Sequence, residues 1–248
     1  MNAALATVGL APGLVLGSFL NVVAARVPLR RSVVRPGSAC MSCGTELAWR
    51  DNVPLVSWLV LRGRCRHCAA GIPLRYPAVE LLTALLVAAC LLAYGLTAYA
   101  VLAAGFCAVL VAIAAIDLEH RIVPNRIVVP ATGVVLAART FVDPSPEWAL
   151  GALAAFAFLL AAALVYPAGM GMGDVKLAAL LGAMLGRNVG VALMAGMLAA
   201  LIPSVVLFAR HGAGARKMGI PLAPFLALGA VVALFCGDLI LDAYLNRL

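Results

Sequence analysis

The sequence predicts an all-α polytopic membrane protein of about eight transmembrane helices with a small cytoplasmic zinc-binding loop domain. Three observations predict it. Of 248 residues, 65% are hydrophobic and only 11% charged, about half the charged share of a soluble domain. The apolar residues fall in long runs, which in a bilayer become helices because the backbone has no other hydrogen-bond partner there. The basic residues behind the net charge of +8 gather between those runs, where they set topology and meet anionic lipid head groups. Basic patches interleaved with aromatics are absent from the sequence, which argues against nucleic acid as a partner.

The first span covers 5–25. No Lys or Arg precedes it, while Arg26, Arg30, Arg31 and Arg35 follow. A cleavable signal peptide has the opposite charge order, so this reads as a retained helix with its N-terminus outside. Residues 26–75 form the one long polar segment and carry nine arginines, which places it in the cytoplasm. Further spans are expected at 77–95, 98–116, 123–141, 147–166, 174–187, 189–209 and 219–242. The expected organisation is therefore a first helix over 1–25, a four-cysteine loop over 26–75 and a membrane core over 76–248. The sixth span is short, begins at a glycine cluster and holds Lys176, so a tilted or re-entrant path is expected for it. Eight spans put 15 of the 18 Lys and Arg inside, counting Arg121, Arg126, Lys176, Arg210, Arg216 and Lys217 beside the nine of the long loop. Arg139, Arg187 and Arg247 remain outside.

The long loop reads Cys40-Met-Ser-Cys43 and Cys65-Arg-His-Cys68. Two CxxC pairs at this separation suit a tetrahedral thiolate site for zinc. Four thiolates leave no open position, so the metal is structural and folds a segment with little core of its own. Two disulfides are the competing reading, and a reducing cytoplasm disfavours them. His67 reads as a solvated side chain. Cys90, Cys107 and Cys236 sit in apolar runs and read as small buried hydrophobes.

Asp117 closes the third span and Asp174 opens the sixth, in Gly171-Met-Gly173-Asp174. Both fall at the same expected membrane edge, where ionisable residues usually serve function. Two carboxylates sharing a proton can hydrolyse a peptide bond: one activates water and the other polarises the carbonyl. Gly171 and Gly173 let backbone approach closely. The bland alternative pairs Asp117 with Arg121 and Asp174 with Lys176. Glu119 reads as facing the aqueous edge, Glu80 as starting the second span, and Asp238 and Asp242 as solvated.

With these residues in view, the chain resembles the prepilin peptidases, or type IV leader peptidases, which are aspartyl membrane proteases with a Gly-x-Gly-Asp motif. The resemblance rests on Gly17-Ser-Phe-Leu-Asn-Val-Val23, Asn52-Val-Pro-Leu-Val-Ser-Trp58, Leu61-Arg-Gly-Arg-Cys65, Tyr76-Pro-Ala-Val-Glu80, Ile116-Asp117 and Gly171–Leu177. It implies that Asp117 and Asp174 are the catalytic pair. It also implies that prepilin or pseudopilin precursors, which belong to type IV pili and type II secretion, are the substrates. Methylation of the new N-terminus from S-adenosylmethionine is implied by resemblance alone, since no pattern marks a donor pocket. The implied location is the bacterial inner membrane, with the active site at the cytoplasmic face. Val123-Pro124-Asn125 and Ile220-Pro221-Leu222-Ala223-Pro224 depart from the family pattern, as does Ala25 after the first-span motif. Acidic Glu46, Asp51 and Glu119, or lipid phosphate, are the expected partners of a basic leader.

Two other classes compete. A proton-coupled transporter also uses paired aspartates and glycine-broken helices, although at the midplane rather than at one edge. A noncatalytic platform would tolerate loss of both carboxylates.

Overall fold

The computed structural model describes residues 2–167, 169–212 and 219–246. Its helices are α1 (Asn2–Arg26), α2 (Val56–Val60), α3 (Arg75–Tyr94), α4 (Ala98–His120), α5 (Asn125–Val142), α6 (Glu147–Val165), α7 (Met172–Leu185), α8 (Val189–His211) and α9 (Ala223–Leu245). Short 3-10 turns lie at Trp49–Asp51 and Gly186–Asn188. Among the described residues there is no strand, only isolated bridges at Ala39–Glu46 and Arg64–Gly71. Seven segments are long and apolar enough to cross a membrane, and one of them, Met172–Arg210, contains both α7 and α8. The eight expected spans thus appear as eight helices. Residues 213–218, with Arg216 and Lys217, and Arg247 lie outside the described residues.

Boundaries differ from expectation where proline and the chain's turns intervene. The last helix starts at Ala223 rather than 219, because Pro221 cannot donate to an earlier turn and Leu222 takes the N-cap position. It then runs past Asp242 to Leu245. The polar loop is less irregular than its composition suggests, since α2 and a 3-10 turn lie within it.

By internal packing the chain divides into Met1–Ala115 and Ile116–Leu248. In the first unit, α1 and α3 run antiparallel at very short range. A methyl group on Gly9, Gly13 or Gly17 would lie 2.7, 2.6 or 2.6 Å from the Cα of Ala88, Ala84 or Glu80 respectively. One residue per turn on α1 thus meets one per turn on α3. Bilayer lipid is as apolar as leucine, so association there depends on such backbone approach and its dispersion contacts. Leu20 of α1 packs with Ala108, Val111 and Ala112 of α4, flanked by Leu16, Val79 and Leu86. Cys90 and Cys107 are buried with sulfurs 4.0 Å apart. Cys236, expected to be buried, is exposed.

The second unit repeats the device. Gly182 of α7 faces the Gly151 carbonyl of α6, and Gly229 of α9 faces Ala192 and Gly196 of α8, each too close for a side chain. At 14 residues, α7 is about 21 Å long. Its Val175, Leu177, Ala178 and Leu180–Leu185 are buried, with α5, α6 and α9 packed around it. The break after α7 is tied down. The backbone N–H of Arg187 donates to Glu147 Oε1 at 2.8 Å, and the Arg187 guanidinium and Asn188 amide both donate to Asp238 Oδ1 at 3.0 Å. Asp238 is therefore a partner of this turn and not simply solvated. Arg139 is buried over the Trp148 ring, 3.5 Å from its centroid.

Replacing Gly13 by Val should lower stability by about 1–3 kcal/mol through forced separation of α1 and α3. Gly105→Ala, where a methyl group meets nothing within 4 Å, should leave it unchanged. Thermal unfolding of the two variants in detergent checks the contrast.

Candidate active site and metal centre

Asp117 lies in the last turn of α4 and is 5% exposed. Its Oδ2 accepts the backbone N–H of Ala223 at 3.1 Å. Ala223 is the first residue of α9, whose N-cap Leu222 offers no side-chain acceptor. The carboxylate therefore satisfies one of the orphan donors of that helix end and sits where the helix dipole favours negative charge. Asp174 lies in the first turn of α7, half-buried, and its backbone N–H bonds the Gly171 carbonyl at 3.1 Å. The two carboxylates are near enough for the charge of Asp117 to act directly on Asp174. Both belong to the same unit, so the fold brings together the two aspartates singled out in the sequence.

The residues that hold this arrangement explain the spacing. A methyl group on Gly173 would lie 2.8 Å from Val123 Cβ, whereas one on Gly171 would make only ordinary contacts, with Asp174 Oδ2 at 3.7 Å and the Gly173 nitrogen at 3.9 Å. Gly173 is thus the close-approach residue, set against the segment that follows Asp117, and Gly171 is the N-cap of α7 in extended conformation. Lys176 donates to Asn125 Oδ1 at 2.9 Å, joining α7 to the first residue of α5. Lys176 therefore serves the Val123-Pro124-Asn125 segment. Ala223, Val123 and Asn125 were legible only as deviations from a motif, and no spacing signalled that a backbone N–H would cap Asp117.

The four cysteines belong to the first unit. The sulfurs of Cys40, Cys43, Cys65 and Cys68 all lie within 4.8 Å of one another, with Cys40 and Cys68 3.8 Å apart. The two knuckles share one design. Cys40 N–H bonds the Thr45 carbonyl and Gly44 N–H bonds the Cys40 carbonyl; Cys65 with Ala70, and Ala69 with Cys65, repeat the pair. Each turn closes on a left-handed residue, Gly44 at φ 70° and Ala69 at φ 56°. The backbone N–H groups of Cys43 and Ser42 hold the Cys40 thiol below its ordinary range. Those of Cys68 and His67 do the same for Cys65, and the Thr45 hydroxyl and N–H for Cys43. At Cys68 the Ala70 N–H pulls the same way, but burial and the neighbouring sulfurs outweigh it and push the thiol up to about 11. Three sulfurs favour the thiolate and the fourth resists further negative charge, a balance that a cation at their centre resolves. The four cysteines can hold one metal ion.

Around this centre the loop is fastened to the helices. Arg66 bonds both oxygens of Asp51, the closest contact being 2.6 Å, and holds the Asp51 carboxyl below its ordinary range. Asp51 is thereby committed to Arg66 rather than left open for a basic leader. Glu80 is buried and accepts the Leu55 N–H at 2.8 Å. It anchors the loop and does more than start a span. Trp58 donates to the Ile72 carbonyl at 3.1 Å, with Gly63 packed against its ring.

Apolar helices, two carboxylates at helix ends within one unit and four cysteines that can hold a metal ion define a class: a multi-pass membrane protein. Two family sequence models match the chain, the Bacterial Peptidase A24 N-terminal domain over residues 12–94 and the Type IV leader peptidase family over 104–209. The chain is 45% identical over 215 residues to the prepilin leader peptidase/N-methyltransferase of Myxococcus xanthus, covering 82% of this chain and 64% of that one. Against the protein of the same name from Bacillus subtilis it is 35% identical over 244 residues, covering 94% and 95%. Against that of Burkholderia pseudomallei strain 1026b it is 34% identical, covering 91% and 83%. No solved structure matches the chain. The chain belongs to the type IV leader peptidase family.

The folded chain should bind one metal ion, and Cys43→Ser should release it. Chelation should open residues 38–72 to amide exchange while the helices stay protected, which hydrogen exchange in detergent resolves by segment.

Proposed function

We propose that the chain is a membrane aspartyl endopeptidase of the bacterial inner membrane. It removes the leader from type IV prepilin and pseudopilin precursors at the cytoplasmic face, then methylates the new N-terminal amine. The observation that carries the peptidase reading is the juxtaposition of Asp117 and Asp174 at the ends of two helices within one packed unit. One carboxylate, ionised, takes a proton from water. The other, protonated, donates to the scissile carbonyl oxygen as the tetrahedral carbon forms. The roles then reverse so that the leaving amine receives a proton. Ala223 N–H fixes Asp117, and the Gly173–Val123 approach fixes the turn that carries Asp174. A precursor with its basic leader inside and its apolar helix in the bilayer would present its cleavage point at this edge.

Zinc is the metal proposed for the four cysteines. A zinc–sulfur bond of about 2.3 Å in tetrahedral geometry separates sulfurs by roughly 3.8 Å, and Cys40 and Cys68 stand 3.8 Å apart. With all four positions taken by thiolate, zinc supplies loop structure and no reaction step. S-adenosylmethionine supplies the methyl group. In functional terms the chain divides into the helix over 1–25, the zinc loop over 26–75 and the peptidase core over 76–248.

Purified protein should cleave a prepilin peptide after the leader glycine, and Asp117→Asn and Asp174→Asn of matching melting temperature should each lose roughly 10³-fold or more in rate. Cleavage by both variants at the parental rate would remove the aspartates from the chemistry. Gly173→Ala should impair cleavage much more than Gly171→Ala, because only the former displaces the turn holding Asp174. Rates of the two variants side by side decide it.

A further inference from the structure

The cysteine loop carries an apolar face that its own packing does not cover. Within the loop, α2 is five residues long, far too short to persist unless something holds it. One side is held. Ser57 is buried, its hydroxyl bonding the Arg50 carbonyl and taking the Val53 N–H, both at 2.9 Å, and Trp58 donates to the Ile72 carbonyl. The other side is Val56, Leu59 and Val60, whose spacing sets them on one face. They are 54, 66 and 71% exposed.

Depth decides what that face meets. α3 has 20 residues, about 30 Å of helix, which is the thickness of a hydrocarbon layer. Glu80 stands in its second turn. Side chains lean toward a helix N-terminus, so this carboxylate reaches back toward the loop, where it takes the Leu55 N–H at 2.8 Å. Ile72, the partner of Trp58, lies just ahead of the helix. α2 is thus fastened at both ends to the level at which α3 enters the membrane. Leu74 and Leu81, at the same level, are exposed as well.

The charges beside α2 fit the same surroundings. Arg62 and Arg64 follow it directly and are exposed. Trp49, 84% exposed, stands before it on the 3-10 turn with exposed Arg50. An apolar stripe flanked by an aromatic ring and arginines is the composition of a helix lying at a head-group boundary. Residues 26–75 hold nine arginines against Glu46 and Asp51, and Asp51 is taken by Arg66. A surface of that sign repels a basic leader peptide and a second copy of itself, and attracts lipid phosphate.

We propose that α2 is an interfacial anchor: Val56, Leu59 and Val60 enter the acyl region of the adjoining leaflet while Arg62 and Arg64 bind acidic phospholipid head groups. This rests on reading the chain as an inner-membrane protein with the loop at the cytoplasmic face, where anionic lipid gathers. The four-cysteine loop is then seated on the bilayer rather than suspended above it. Lipid holds the outer side of the one helix whose inner side is held by Ser57 and Trp58.

The test places a photoreactive diazirine residue at position 59 of the full-length, metal-loaded protein in nanodiscs of phosphatidylcholine and phosphatidylglycerol. Position 81, on α3, is the lipid-facing control. Irradiation should give lipid adducts at both positions, with phosphatidylglycerol in excess at 59 alone. Arg62→Gln combined with Arg64→Gln should cut that excess about fivefold or more. Leu59→Asp, at matched metal content and melting temperature, should raise amide exchange over residues 55–61 about tenfold or more. Water captured in place of lipid at 59, capture of peptides from elsewhere in the chain or from a second copy, or an unchanged phosphatidylglycerol excess in the arginine variant would each overturn the proposal. Added prepilin that displaces lipid and takes the label would also overturn it, in favour of a substrate groove. Both faces of a disc are open to solvent, so the orientation of the chain in the cell affects none of these results. Prepilin cleavage in the same discs reads the dyad separately: its failure with lipid adducts intact at 59 sinks the peptidase reading and leaves the anchor standing.

Discussion

Backbone-to-backbone approach at glycine is the constraint on which the rest of this structure depends. Inside a bilayer no water is released when two apolar helices meet, so only close dispersion contact and backbone proximity distinguish a helix neighbour from lipid. The chain meets that requirement three times, at α1 with α3, α6 with α7 and α8 with α9, each pair sealed at positions where a Cβ would collide with the partner backbone. Polar anchors of the cysteine loop hang from the first pair. Asn21 of α1 donates to the Tyr76 carbonyl at the entry to α3, and Glu80, the residue facing Gly17, holds the cysteine loop through Leu55.

The same constraint governs the site. Gly173 permits α7 to begin against Val123, and that contact helps set where Asp174 emerges. Asp117 is held from the other side by the first N–H of α9. One aspartate is positioned by a steric allowance and the other by a helix end, so the pair is organised by backbone before any side chain contributes.

Much of this could be read in advance, and the parts that could not share a cause. Span number, the four cysteines and the two aspartates are properties of local pattern: apolar run length, CxxC spacing and charge at a span edge. What pattern did not reveal were partners distant in sequence. Nothing near Asp117 announces Ala223, which lies 106 residues on, and nothing in Gly171-Met-Gly173 says which glycine is indispensable. Asp238 looked solvated because its partners Arg187 and Asn188 belong to another helix turn. The left-handed closure of both cysteine turns was hidden for a different reason: Gly44 hints at it, but Ala69 occupies the same conformation without the residue type that would signal it.

The shortness of α7 has a consequence for solvent. A hydrocarbon layer is about 30 Å thick, and a helix of 14 residues falls short of it by about 9 Å. Gly169 and Gly171 precede its first residue, and Asp174 stands in its first turn. A membrane hydrolase must consume water in a medium that excludes it. If these carboxylates are the catalysts proposed, a buried helix that ends early would let water reach them at the membrane edge without a path through the bilayer.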